Sequence, residues 1–277
     1  MSTQNALLTI LVEKINNDTL VLPTLPAIAL KVRKSADDPN INLHKMADVI
    51  GQDPSLSARM IKISNSAYLG REIKVTSTSQ AVTRIGLTQV KNIATALAME
   101  QLFVSKNETV KKYMAKKWAD MINIVGNAMA TMVIYQKATK NKSLSLDTMT
   151  LSALVADIGA LPVLTEAERH DNVFANPAFL DLAIDKLAGR IGGSIMREWK
   201  FNEVFIECAE QWRHIEYVKP EISYIDFVRV GAALSNLVDK PEEVLTLAQQ
   251  RGVFADIDEL QTEQFQALRD NAKALFI

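Results

Sequence analysis

The stretch "DVIGQDPSLSARMIKISNSAYLG", residues 48–70, decides the reading of this chain. Asp53 stands directly before Pro54, and the residues that follow carry helical periodicity. An aspartate in that position accepts hydrogen bonds from free N–H groups of the first turn. Proline at the first helical position forfeits an N–H that has no intrahelical partner. Gly70 is a stop signal, and Gly51 ends a preceding helix, "LHKMADVIG", that starts from Asn42. The segment therefore reads as two short helices with a capped break between them.

The same grammar extends in both directions. Upstream, Leu7, Leu11 and Ile15 recur at four-residue spacing, and "VLPTLP" follows, where Pro23 and Pro26 enforce an extended connector. Downstream, "TSTSQAVTRIG" is a short helix behind a Ser/Thr cap, and "LTQVKNIATALAMEQLF" a longer one with Thr88 as its expected cap. Around Ser105–Asn107 the pattern changes. "ETVKKYMAKKWADMINIVGNAMATMVIYQKAT" reads as one long helix with Val110, Met114, Trp118, Met121 and Val125 on one stripe. The tail, "IDELQTEQFQALRDNAKALF", reads as a further amphipathic helix. No segment alternates apolar and polar residues, and no Asn-Gly or Asp-Gly hairpin signal occurs. The expected fold is all-α, with a lobe of short helices joined near residue 106 to a lobe of longer ones.

Composition narrows the function classes. The 277 residues carry a net charge of −1, which provides no overall footprint for nucleic acid or an anionic membrane. Cys208 is the single cysteine, so neither an internal disulfide nor a multi-cysteine zinc site can form. The N-terminus has no basic start or small-residue cleavage site, and no uninterrupted apolar run reaches about 18 residues. The expectation is a cytoplasmic protein.

Three segments together, "LPTLPAIALKV" (22–32), the opening stretch, and "SQAVTRIGLTQVKNIATALA" (79–98), resemble the HDOD domain of bacterial signalling proteins. The motif positions are Pro23 and Pro26, Asp53 and Pro54, Asn65 and Ser66, and Ala81 through Gly86. All are expected to be structural. The resemblance implies an N-terminal helix at 1–19, an HDOD domain at 20–215 and C-terminal helices at 216–277. The domain divides into a first lobe (20–105) and an HD-like lobe (106–215) on which the C-terminal helices pack.

The family's second half resembles HD-type metal phosphohydrolases, whose site gathers imidazoles and carboxylates from several helices onto metal. Carried over residue by residue, that resemblance puts Asp120 where a histidine is expected. It puts Ala156 before Asp157 in "LVADIG", and Ala188, Arg213, His214 and Ala232 at the remaining places. Asp120, Asp157 and His214 are vestigial candidates, and Arg213 brings a positive charge where a cation would sit. Asp157 is read as a remnant that accepts backbone N–H groups or pairs with a cation such as Arg213, with a retained metal ligand as the alternative. The expectation is no catalytic residue, no metal, no cofactor, and a signalling module that works through a protein partner, without nucleic acid or membrane. Two alternatives stay open: an HD-type phosphohydrolase with an unorthodox site, and a nucleotide-binding sensor that keeps the old pocket.

Other features have plainer readings. His214 is expected to be a satisfied structural histidine, and His44 and His170 to be solvated. "GRIGGS" (189–194) is not a dinucleotide fingerprint; Ala188, Gly192 and Ser194 permit close helix approach instead. Lys106, Lys111, Lys112, Lys116 and Lys117 read as a solvated face. Trp199 and Trp212 read as core aromatics whose N–H groups seek a carbonyl, and Cys208 as a small buried apolar residue.

Overall fold

Most capping signals act where the sequence places them, but the helix that Pro54 opens ends at Ser64, with Asn65 as its C-cap, and not at Gly70. In the computed structural model, which describes residues 3–66, 68–70, 72–170 and 176–276 and side chains from residue 8 onward, no strand occurs among the described residues. Helix α1 (Thr3–Asn16) leads into an extended connector and then into α2 (Ala27–Ala36). The side chain of Leu7 lies outside the described residues, while Leu11 is buried. Asn42 accepts from the Lys45 N–H at 2.9 Å to start α3 (Leu43–Gly51). Asp53 accepts from the Leu56 N–H at 2.9 Å to start α4 (Pro54–Ser64), and Ser77 caps α5 (Thr78–Ile85).

One cap is misplaced in the sequence reading. Helix α6 (Leu87–Ala98) starts from Gly86, not from Thr88. Gly86 adopts φ +87°, so it ends α5 and begins α6 in a single residue, leaving Thr88 inside the first turn. This left-handed conformation is the physical reason for glycine at that position. The helix also stops at Ala98, and residues Met99–Leu102 tighten into a 3-10 turn.

The long helix α7 (Glu108–Thr139) is capped by Asn107, which accepts from both Thr109 and Val110. Val110, Met114, Met121 and Val125 are buried along one stripe; Trp118 is half-buried and packs its ring on Phe103 and Phe276. Helices α8 (Leu146–Val155) and α9 (Ala160–Arg169) follow, joined by a turn at 156–159. The 24-residue stretch Leu146–Arg169 has the length and hydropathy of a membrane span, but 89% of its most apolar window is buried inside the protein. It forms core.

The chain continues through α10 (Pro177–Glu198), α11 (Glu203–Gln211), α12 (Tyr224–Leu234) and α13 (Pro241–Gln250). The expected single tail helix is broken. Ile257–Gln261 is a 3-10 turn, Thr262 caps the next helix, and α14 runs Glu263–Lys273. The cause is local: the Thr262 hydroxyl accepts from the Phe265 N–H and starts a new helix.

Packing places α7 at the centre, with α8, α12 and α14 against it. The first lobe joins this set mainly through α6 on α8, while α10 lies between α9 and α11. Two long-range hydrogen bonds tie the ends in. The Trp199 indole N–H donates to the Pro23 carbonyl at 2.8 Å, and the Tyr68 hydroxyl donates to the Leu268 carbonyl at 2.5 Å. The C-terminal segment thus touches both lobes.

Candidate functional site

The turn between α8 and α9 carries Asp157, and its surroundings decide what it can do. The residue is 4% exposed, which is deeper than the half-buried position its sequence context implies. Its Oδ2 accepts from Lys117 Nζ at 2.8 Å, and its Oδ1 from Arg213 Nη1 at 2.9 Å. Both oxygens are therefore held by cations. Of the roles left open for Asp157, cation pairing is the one the structure adopts.

Each cation is itself positioned. Lys117 comes from α7 and is turned inward with its side chain 14% exposed, so it departs from the solvated lysine face expected for this stretch. Lys106, Lys111, Lys112 and Lys116 are exposed. Arg213 sits in the loop after α11, stacked on the Trp212 ring with its guanidinium carbon 4.0 Å from the ring centroid. That loop is organised by Arg229 of α12, which is 4% exposed. Its guanidinium donates to the carbonyls of Gln211, Trp212, His214 and Tyr217. Four carbonyls converging on one buried charge fix the loop, and the loop aims Arg213.

The electrostatics follow from this geometry. Burial alone pushes the Asp157 carboxyl upward, but Arg213 and Lys117 reverse that effect and hold it below the usual carboxylate range. The acid is charged and fully paired.

The other candidate positions do not join it. Asp120 pairs with Lys116 on its own helix at 2.8 Å. His214 is exposed at the surface with Nδ1 3.1 Å from Gln211 Oε1, and is not the structural histidine its apolar sequence neighbours suggest. The reason is that its loop runs outward past Arg229, which holds its backbone and leaves its ring in solvent. Ala156, Ala188 and Ala232 are all buried. Among the described residues no three His, Cys, Asp or Glu side chains converge.

A metal does not fit this donor set. A cation bound to Asp157 would lie near two fixed positive charges. At about 4 Å and an effective dielectric constant of about 20, each pair of unit like charges costs roughly 4 kcal/mol. Asp157 could accept a metal only by releasing Lys117 and Arg213 into a buried site.

The motif positions of the first lobe hold backbone. Asn65 Nδ2 donates to the Val75 carbonyl and its Oδ1 accepts from the Val75 N–H, both at 2.8 Å. The side-chain amide thus imitates a strand neighbour for an extended loop. The Ser66 carbonyl accepts from Gly70 N–H at 2.6 Å, while the Ser66 hydroxyl is buried without a partner among the described residues. Pro26 is the residue before α2, and Pro23 supplies the carbonyl for Trp199.

Gly192 permits close approach as expected, since a Cβ there would lie 3.2 Å from the Ala209 Cβ; the tighter approach is at Gly159, where a Cβ would fall 1.9 Å from the Ala188 carbonyl oxygen and 2.6 Å from the Gly192 nitrogen. Ser194 is half-exposed and bonds back to Arg190 within its own helix. Trp199 finds its carbonyl, but the Trp212 N–H is buried without one among the described residues. Cys208 is fully buried, and burial pushes its thiol up to about 12. Neither His44 nor His170 is buried.

Lys117 and Arg229 are the functional-position residues that sequence reasoning missed. Arg229 had a readable signal, a lone cation in the apolar run "FVRVGAAL". Lys117 had none, since it is one of several lysines on the same helix.

These features define an all-α, HD-like helical domain in which the buried carboxylate of Asp157 is held by two cations. The chain belongs to the HDOD domain family, which it matches over residues 22–215. It is similar over 100% of both chains to a Shewanella amazonensis protein provisionally named a metal-dependent phosphohydrolase, at 38% identity and TM-score 0.95. An HDOD domain protein of unknown function from Geobacter sulfurreducens shares the fold at 19% identity and TM-score 0.61, over 98% of each chain. A curated relative, an uncharacterized protein of Treponema pallidum, is 24% identical over 224 residues, or 76% of this chain. The chain spans only 42% of that relative's length.

Proposed function

We propose that this protein is a non-catalytic, cytoplasmic signal-transduction module that acts through contacts with another protein. The observation that carries this reading is the double occupation of Asp157 by Lys117 and Arg213. In the HD-type scheme that carboxylate would bind metal and the metal would activate water. Here the lysine and arginine already fill the coordination places with fixed positive charge. The fold then offers surfaces and a rigid helical frame rather than a reaction centre.

The rival reading is metal-dependent phosphohydrolysis, supported by the name of the Shewanella relative. Elemental analysis and phosphomonoesterase and phosphodiesterase assays with manganese separate the two. The expected outcome is no stoichiometric metal and no turnover. About one metal per chain, lost together with activity in Asp157→Ala, would overturn the proposal.

A further inference from the structure

A second site, remote in chemistry from Asp157, lies where the first lobe, α8 and the C-terminal segment meet. It is a cavity of about 200 Å³ walled by Ile63, Ile85, Ile93, Met129 and Leu275. Half-buried Gln89 and Tyr68 also line it. One lining residue carries a carboxyl group, Asp147, and it is 7% exposed. Its Oδ2 accepts from Asn92 Nδ2 at 2.7 Å. Thr148 Oγ1 stands 3.5 Å away, at the limit of a hydrogen bond. Among the described residues no Lys, Arg or His lies within ion-pair distance of it.

This contrasts with the other buried acids. Asp157, Glu166, Glu207 and Asp226 each have a basic partner. A buried carboxylate without a counter-charge is costly, because its lost hydration is only partly replaced. Asp147 is in the first turn of α8, where the helix N-terminus favours negative charge. The acid therefore sits at the edge of an apolar cavity with no basic partner among the described residues.

We propose that this cavity binds a small organic cation, one apolar ring or short chain ending in a primary ammonium group. The ammonium would donate to Asp147, with the neighbouring Ser145 and Thr150 oxygens beside it, and the apolar part would fill the space between Ile85, Ile93 and Met129. The volume suits a single ring, since an apolar cavity of about 150 Å³ accommodates benzene. The site is independent of the reading of Asp157, so metal analysis does not bear on it.

The test uses three probes of one shape on the full chain: phenethylamine, phenethyl alcohol and 3-phenylpropionate. Calorimetric titration should show the amine binding about tenfold tighter than the alcohol, as expected for a charge-assisted hydrogen bond. The carboxylate should not bind. The amine should also raise the melting temperature in proportion to its concentration. Asp147→Asn should bring the amine down to the affinity of the alcohol. If that variant does not fold, Ile93→Phe, which fills the cavity and keeps Asp147, should remove amine and alcohol binding together. Equal affinity for all three probes, no amine binding at millimolar concentration, or amine binding unchanged in a folded variant would overturn the proposal.

Discussion

Asp157 shows how much a single residue's meaning depends on its partners. Its folded carboxyl titrates below the value in an unfolded chain, because Arg213 and Lys117 outweigh the opposing effect of burial. A depressed folded value means the unfolded state binds the proton first. The stabilisation is present above the unfolded value and is lost as pH falls through the folded one. Urea denaturation of the wild type and Asp157→Asn should therefore show a stability gap at pH 7 that closes as pH falls below the ordinary value of 3.8. A gap independent of pH would mean that the charge does not matter. Asp157→Ala at pH 7 should cost about 3–5 kcal/mol, since it leaves two largely buried cations facing each other.

At the level of elements, close backbone approach holds the HD-like lobe together. The turn that carries Asp157 is pressed against α10 at Gly159, where a Cβ would meet the Ala188 carbonyl oxygen and the Gly192 nitrogen. Those are backbone atoms and cannot rotate away. Gly159→Ala should cost about 1–3 kcal/mol through overpacking. Gly192→Ala is the control, because its Cβ would lie 3.2 Å from the Ala209 Cβ, a milder clash. Thermal melts should rank Gly159→Ala well below Gly192→Ala. Equal melting temperatures would show that the turn can retreat from α10. The small residues of "LAGRIGG" advertised a close approach in the sequence, but not the turn that would be its partner.

Across the whole molecule, the two lobes and the tail bury one another. Val90, Ile93, Ala94 and Leu97 of α6 are buried, and α6 packs on α8, which lies beyond residue 106 in the chain. Phe103 packs on Trp118, and Pro23 depends on Trp199. Each large apolar side chain left uncovered forfeits about 1.5–3 kcal/mol, against a net stability of about 5–15 kcal/mol for a typical domain. A fragment ending at residue 106 should therefore aggregate or lack a cooperative melt, as read by size-exclusion chromatography and calorimetry. A monomeric fragment with a sharp transition would establish the first lobe as an independent unit.

The sequence by itself determined the helical class, the long α7 and several helix starts. Those signals act within three or four residues: Asp53 reaches the Leu56 N–H, and Asn107 reaches Val110. A proline or cap imposes its geometry whatever the rest of the chain does. The resemblance also put alanine, at Ala156, Ala188 and Ala232, in three of the seven places it assigns to an HD-type site. Only the tertiary structure decided what became of the surviving acid. Lys117 and Arg213 are 40 and 56 residues from Asp157 in the chain, on a central helix and a loop held by Arg229. No local spacing distinguishes Lys117 from the lysines beside it. Rotation about the axis of α7 turns it into the core and leaves Lys116 in water, and that rotation is set by the packing of α8, α12 and α14 around the helix.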